Sequence, residues 1–309
     1  MASRLRLFYI LAPPVAITYC THRGLSNLEA RYPALPADDT TCSAALRTPN
    51  RPFTQHTPRI DVYCAHIPLQ HISLSTSTPP PLRFSSWVAA FLNASFNFRW
   101  AFAVFDTPIL RWEDLVISLI TKHQNSSRDF ISPQFHLDMF SAFPITVGID
   151  KHRHTIMGID KERWMKNEKQ KLLLDILTID RLPSMTNPYG LLVSWKMSDG
   201  LRLFFEKIAR WGYPWRLMSG GRYEFSASMP FLIPGREHEG MFVEVRIASA
   251  HDYEVVSGEG DLASQKTIPK LAARLHGAYA RLILAQAVER VPIHQAYKMA
   301  QMRSRSSSA

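Results

Sequence analysis

The chain has 309 residues, 46% of them hydrophobic, and a formal charge of +10, enough apolar material for one sizeable core with length left over for tails. The charge sits at the ends: residues 1–60 hold seven Arg against three acids, and Arg290, Lys298, Arg303 and Arg305 close the chain with no acid among them. The central 229 residues carry only +2, and no basic stripe interleaved with aromatics runs through them, which argues against nucleic-acid binding.

Cys20, Cys42 and Cys64 form an odd set with no CxxC, so neither a disulfide framework nor a zinc site is expected. Free thiols fit a reducing compartment, and a cytoplasmic or mitochondrial location is favoured over secretion. The opening MASRLRLFYILAPPVAITYC has an apolar run broken by Pro13-Pro14, too short for a stable membrane span. Its arginines, with no acid before Glu29, fit a mitochondrial leader and a secretory h-region about equally. Residues 21–59, with Pro33, Pro36, Pro49, Pro52 and Pro58, read as a linker without the apolar content to fold alone. The expected organisation is therefore a targeting or disordered segment over 1–59, a single α+β domain over 60–290, and a basic, partly disordered extension over 291–309.

IDVYCAHIP from Ile60 predicts a first strand, with Ile60, Val62, Cys64 and His66 on one face. A helix follows from Phe84 to Phe105, where Trp87, Phe91, Ala94, Phe98, Ala101 and Phe105 recur at three- and four-residue spacing. Thr107-Pro108 starts another helix through Leu110, Leu115, Leu119 and Ile120. Residues 123–142 read as a polar loop, and 143–150 and 154–160 as two strands. His152 and His154 share a side between them, but flanking Lys151 and Arg153 disfavour a metal. Residues 171–179 and 190–197 are further strands. Leu201, Phe204, Phe205, Ile208 and Trp211 then share one face of a short helix that ends at Gly212.

Two alternating strands, RYEFSASM and MFVEVRIASAHDYEVV, precede a long amphipathic segment. In that segment Ile268, Leu271, Leu275, Tyr279, Leu282 and Gln286 follow helical spacing, and Pro292 is expected to end or kink the helix. Period two places Val243, Val245 and Ile247 on the inner face, with Ser249, His251 and Tyr253 continuing it unless a bulge at Ser249-Ala250 intervenes. Tyr223, Phe225, Ala227 and Met229 share that inner face. Arg222, Glu224, Glu244 and Arg246 fall outside, where they could pair across the surface.

A strand, two helices, several antiparallel strands and a long closing helix resemble the START-like helix-grip superfamily, which includes polyketide-cyclase-like and lipid-transfer proteins. The cone-shaped nuclear-transport-factor-like fold has a related order. The first resemblance implies a curved antiparallel sheet packed against the C-terminal helix, with a cavity for an apolar ligand between them. His251 and Tyr253 are then candidate acid/base residues, and Tyr223, Phe225, Met229, Val245, Leu275 and Tyr279 candidate ligand contacts.

Gly258-Glu259-Gly260-Asp261 carries acids where a phosphate would bind, and no GxGxxG, GK[ST], GxSxG or HExxH occurs. No cofactor or metal is expected. The leading expectation is a carrier or sequestering module for a hydrophobic small molecule. The alternatives are a cyclase- or isomerase-like enzyme using the His and Tyr, and a protein-interaction domain with a filled interior. A buried His and Tyr satisfied by the backbone remains the plainest reading of 251 and 253.

Overall fold

The computed structural model describes the backbone of residues 19–72, 86–112, 171–172, 177–184 and 189–306, and the side chains of all of these but 86–92, 171–172 and 292–306. The expected leader, the loop 123–142, the strands at 143–150 and 154–160, the pair His152 and His154, and the side chains of Trp87 and Phe91 lie outside the described residues.

The architecture is α+β. Helix α1 (19–31) leads into β1 (Ala34–Leu35), α2 (Ala44–Arg47), β2 (Gln55–Pro68), α3 (Leu69–Ile72) and α4 (Ser86–Phe105). After these come β3 (Lys171–Leu172), β4 (Leu177–Arg181), β5 (Leu191–Lys196), α5 (Asp199–Arg210), β6 (Gly220–Ala227), β7 (Phe231–Leu232), β8 (Met241–Glu254) and α6 (Lys270–Ser306). The strands form one antiparallel sheet in the order β1-β2-β8-β6-β5-β4-β3, with β7 paired to β8 outside that row. The run 171–179, expected as one strand, folds back on itself: Lys171 pairs with Thr178 and Leu172 with Leu177. A leucine-rich run without strict alternation does not disclose such a pairing.

Directly opposed residues of antiparallel strands share a face, so the register fixes what each face carries. Tyr63, Ile247 and Phe225 lie in one row, and Ala65, Val245 and Ala227 in the next. This inner face is covered by α4 and α6, whose Phe96, Trp100, Val104, Phe105, Ala280, Leu284 and Ala287 join it in the main apolar core. Ala94, Phe98, Ala101 and Phe105 are buried as expected, and so are Phe96, Trp100 and Val104 on the other sides of the helix. A helix apolar all round is a buried helix. Two polar bonds fix it: Trp100 Nε1 donates to the Arg246 carbonyl at 2.7 Å, and Asn97 Oδ1 accepts from Ala227 N at 2.6 Å.

The outer face is buried too, by the stretch expected to be a linker. Cys42, Leu46, Val62, Leu192, Ala248 and Ala250 form a second apolar cluster, flanked by Leu35, Ala37 and Ile60. Arg222 and Glu224, expected on an exposed surface, are each only 1% exposed beneath it. Glu224 accepts from Ser43 N, Ser43 Oγ and Arg181 Nη2; Asp252 accepts from Arg222 Nη2 and Thr57 Oγ1, both at 2.6 Å. The segment has little apolar content because much of its attachment is polar: it supplies donors to two buried carboxylates. Glu244 and Arg246 pair with each other instead of with Arg222 and Glu224.

α5 forms where expected and ends in a Schellman motif. Gly212 takes φ +97, its N–H donates to Ala209 O, and Tyr213 N donates to Ile208 O. The expected face is split, however: Leu201, Phe204 and Trp211 are exposed, Phe205 and Ile208 are half-buried, and Glu206 and Ala209 are the buried ones. In α6 the buried positions include Gly277, Ala280, Leu284, Ala287 and Val291, at alternating spacings of three and four, with Ala278, Arg281, Ile283 and Ala285 buried beside them. Leu271, Leu275 and Leu282, expected on that stripe, are exposed. Small residues won the inner side because α6 lies close to the sheet: a Cβ at Gly277 would stand 2.7 Å from Tyr63 Oη. The helix continues past Pro292 to Ser306. Among the described residues no helix is long and apolar enough to cross a membrane.

Candidate functional site

The polar part of the inner face lies at one end of the central strands. Asp61, Ser249, Tyr223 and Val193 occupy one row; Arg59, His251, Gly221 and Trp195 occupy the next. No bulge interrupts β8 at Ser249-Ala250. The register shift is on β2, between His56 and Arg59, opposite Asp252, so His251 and Tyr253 keep the inward parity of Val243, Val245 and Ile247.

His251, 3% exposed, meets His276 of α6 with Nε2 to Nε2 at 2.8 Å and the rings edge to face at 4.4 Å. Burial, reinforced by His276 and Arg59, pushes the His251 imidazole down to about 3. Burial and Arg59 also lower His276, against an opposing pull from Asp61. Both rings are therefore neutral near pH 7, and one donates its Nε2 proton to the other. Beside them Arg59 Nε donates to Asp61 at 2.9 Å. Arg281 stacks 4.1 Å over the Tyr63 ring and donates to the Tyr32 carbonyl at 2.7 Å.

Gly221 lets this end of the sheet hold a large side chain flat. Trp195 lies across it, with Nε1 2.8 Å from where a Cβ would stand, consistent with strand glycines marking close approach. Trp195 Nε1 and Ser249 Oγ are buried and find no hydrogen-bond partner among the described residues. Tyr223 and Tyr279 are half-buried next to the main core.

The other anticipated positions do not converge here. Phe225 and Val245 are filled core, Phe225 meeting Phe105 edge to face at 5.4 Å. Met229 lies past the far end of β6, about 25 Å along the strand direction from Gly221. Leu275 is 45% exposed. Tyr253 faces inward but serves as a pin: its hydroxyl accepts from Ile268 N at 3.5 Å, and its ring tilts against His56 at 5.9 Å. Burial lifts its phenol to about 12. Among the described residues no group of three or more His, Cys, Asp or Glu is arranged to hold a metal.

His276, Arg59, Trp195 and Gly221 escaped the sequence reading. His276 follows Leu275 and is turned about 100° away from the stripe of Leu271, Leu275 and Leu282. The Gly277-Ala280-Ala287 spacing carried the correct phase. Gly221 stands just ahead of the strand expected from Arg222, and Arg59 just before the expected domain start. No protein-family model, curated protein or solved structure matches this chain.

Proposed function

We propose that the protein binds an apolar small molecule bearing a carbonyl or hydroxyl group, held between the inner face of the sheet and α6 at the His251 end, as a carrier or sequestering module. The observation that carries this reading is the pair of unpartnered buried groups, Trp195 Nε1 and Ser249 Oγ, beside the neutral His251–His276 pair. A buried polar group without a partner costs about 1–3 kcal/mol, and a ligand that satisfied either of these two would recover part of that cost. One ligand oxygen could accept from the indole and exchange a hydrogen bond with the hydroxyl, while its apolar remainder lies against Tyr223, Tyr279 and Val193. The order of elements, with a long closing helix on an antiparallel sheet, supports the START-like comparison and its apolar ligands.

Acid–base catalysis by His251 is the weaker reading. A base held down near 3 takes up a proton poorly at neutral pH, far from the match that general catalysis favours. Tyr253, pinned to Ile268 N, is a poor candidate for its partner.

Binding of the fluorophore 1-anilinonaphthalene-8-sulfonate to the purified full chain tests the proposal. Saturable binding that weakens in Ser249→Leu, which fills the space, and in Trp195→Phe, which deletes the donor, is expected. Equal binding by both variants and the parent would refute it.

A further inference from the structure

α5 is mounted with its acidic side inward. Glu206 faces the body of the protein and pairs with Arg216 at 3.2 Å, and the same guanidinium holds Glu259 at 2.8 Å. At about 100° per residue, the side opposite Glu206 and Ala209 belongs to Phe204 and Trp211, which are 57% and 74% exposed. Leu201, Leu203, Tyr213 and Trp215 extend the exposed apolar surface around them. Lys207 and Arg210 stand on the flank of this ridge, both exposed, and neither enters an ion pair among the described residues. Lys207 Nζ lies 5.2 Å over the Trp211 ring. Among the described residues the acids of α5 and its neighbour Glu259 are already matched: Asp199 by Lys196 and Arg202, Glu206 by Arg216, and Glu259 by Arg216 and Lys266. Lys266 Nζ also donates to the Ala209 carbonyl at 2.9 Å, which with the Gly212 cap fixes the end of the helix that carries Trp211.

A convex ridge of Phe, Trp and Tyr, flanked by Lys and Arg and with no free acid on it among the described residues, has the chemistry of an interfacial membrane contact. The rings enter the boundary between headgroups and acyl chains, and the cations meet anionic headgroups. We propose that α5 and the 211–215 turn form a peripheral docking surface for an anionic lipid bilayer. The charge decides between occupants. A second copy of this surface would bring Lys207 and Arg210 against their like, whereas phosphatidylserine headgroups complement them.

The test is co-sedimentation of the full chain with phosphatidylcholine vesicles, with and without phosphatidylserine. Binding is expected with phosphatidylserine and little without it. The double variant Lys207→Glu/Arg210→Glu should bind at least roughly 30-fold more weakly, taking each basic residue at the surface as worth about fivefold. Phe204→Ser/Trp211→Ser should lose retention while its circular dichroism and unfolding midpoint match the parent, since both sites are exposed. Binding carried by the basic chain ends alone would leave both variants equal to the parent, and that result overturns the proposal. Absence of vesicle binding overturns it, and so does a change of oligomeric state in the Phe204/Trp211 variant without any effect on vesicles.

Discussion

Asp252 is enclosed between Arg222, Thr57 and the backbone of Asn50, and both charges of its ion pair are about 1% exposed. Removing one partner leaves the other charge buried, so Asp252→Ala should destabilise the fold by about 3–5 kcal/mol. Replacing the pair with apolar residues of similar volume should cost far less. Urea unfolding of the single and double variants measures the difference; equal losses would mean the pair is not acting as a closed unit. The histidine pair makes a separate prediction about pH. His251 has its proton affinity lowered in the folded chain from the ordinary 6.5 to about 3 by burial, so the unfolded chain binds the proton more readily. Its contribution is full above pH 6.5 and drains away as pH falls toward 3, with each tenfold in proton affinity worth about 1.4 kcal/mol. His251→Gln should therefore show a shallower loss of stability between about pH 7 and about pH 5 than the parent. Parallel curves would remove His251 from the titration. The parity of β8 was legible because alternation from Val243 to Tyr253 meets no bulge. The partner of His251 was not, because it comes from a helix whose rotation the leucines misreported.

At the scale of elements, α6 and α5 make the same point from opposite directions. Both carry leucines and aromatics at helical spacing, and spacing shows that a face exists without saying what it faces. In α6 small residues stand at Gly277, Ala280 and Ala287 on the buried side, beside Ile283, Leu284 and Val291, while Leu271, Leu275 and Leu282 face out. Gly277→Ala should consequently destabilise the protein by about 1–3 kcal/mol despite the better helix propensity of alanine, because the new methyl meets Tyr63 Oη. Tyr63→Phe in the same chain should recover part of that loss. A double-mutant cycle by thermal unfolding reads the coupling, and additive effects would show that the hydroxyl is not the obstacle. In α5 the inward side carries Glu206 paired with Arg216 of the following loop, a contact that helical spacing does not reveal.

For the whole molecule, the α+β class, the closing helix and the run of central antiparallel strands were readable from period and order alone. The second covered face was not. Residues 34–57 look like linker because they lack a periodic apolar pattern, yet β1, α2 and the start of β2 lie there, and Ser43 and Thr57 hold buried carboxylates. A composition argument counts apolar side chains and misses attachment through hydrogen bonds. The sheet is thus covered on both sides. Its polar exception on the inner face, at Ser249, Trp195, His251 and His276, is where the structure differs from a uniformly apolar core. Whether that exception holds a ligand is the central claim. Native mass spectrometry of the purified full chain tests it most directly. The account predicts a mass in excess of the polypeptide that corresponds to an apolar, oxygen-bearing small molecule, diminished in Ser249→Leu. A mass equal to the bare chain, joined to identical fluorophore binding by parent and variant, would contradict it.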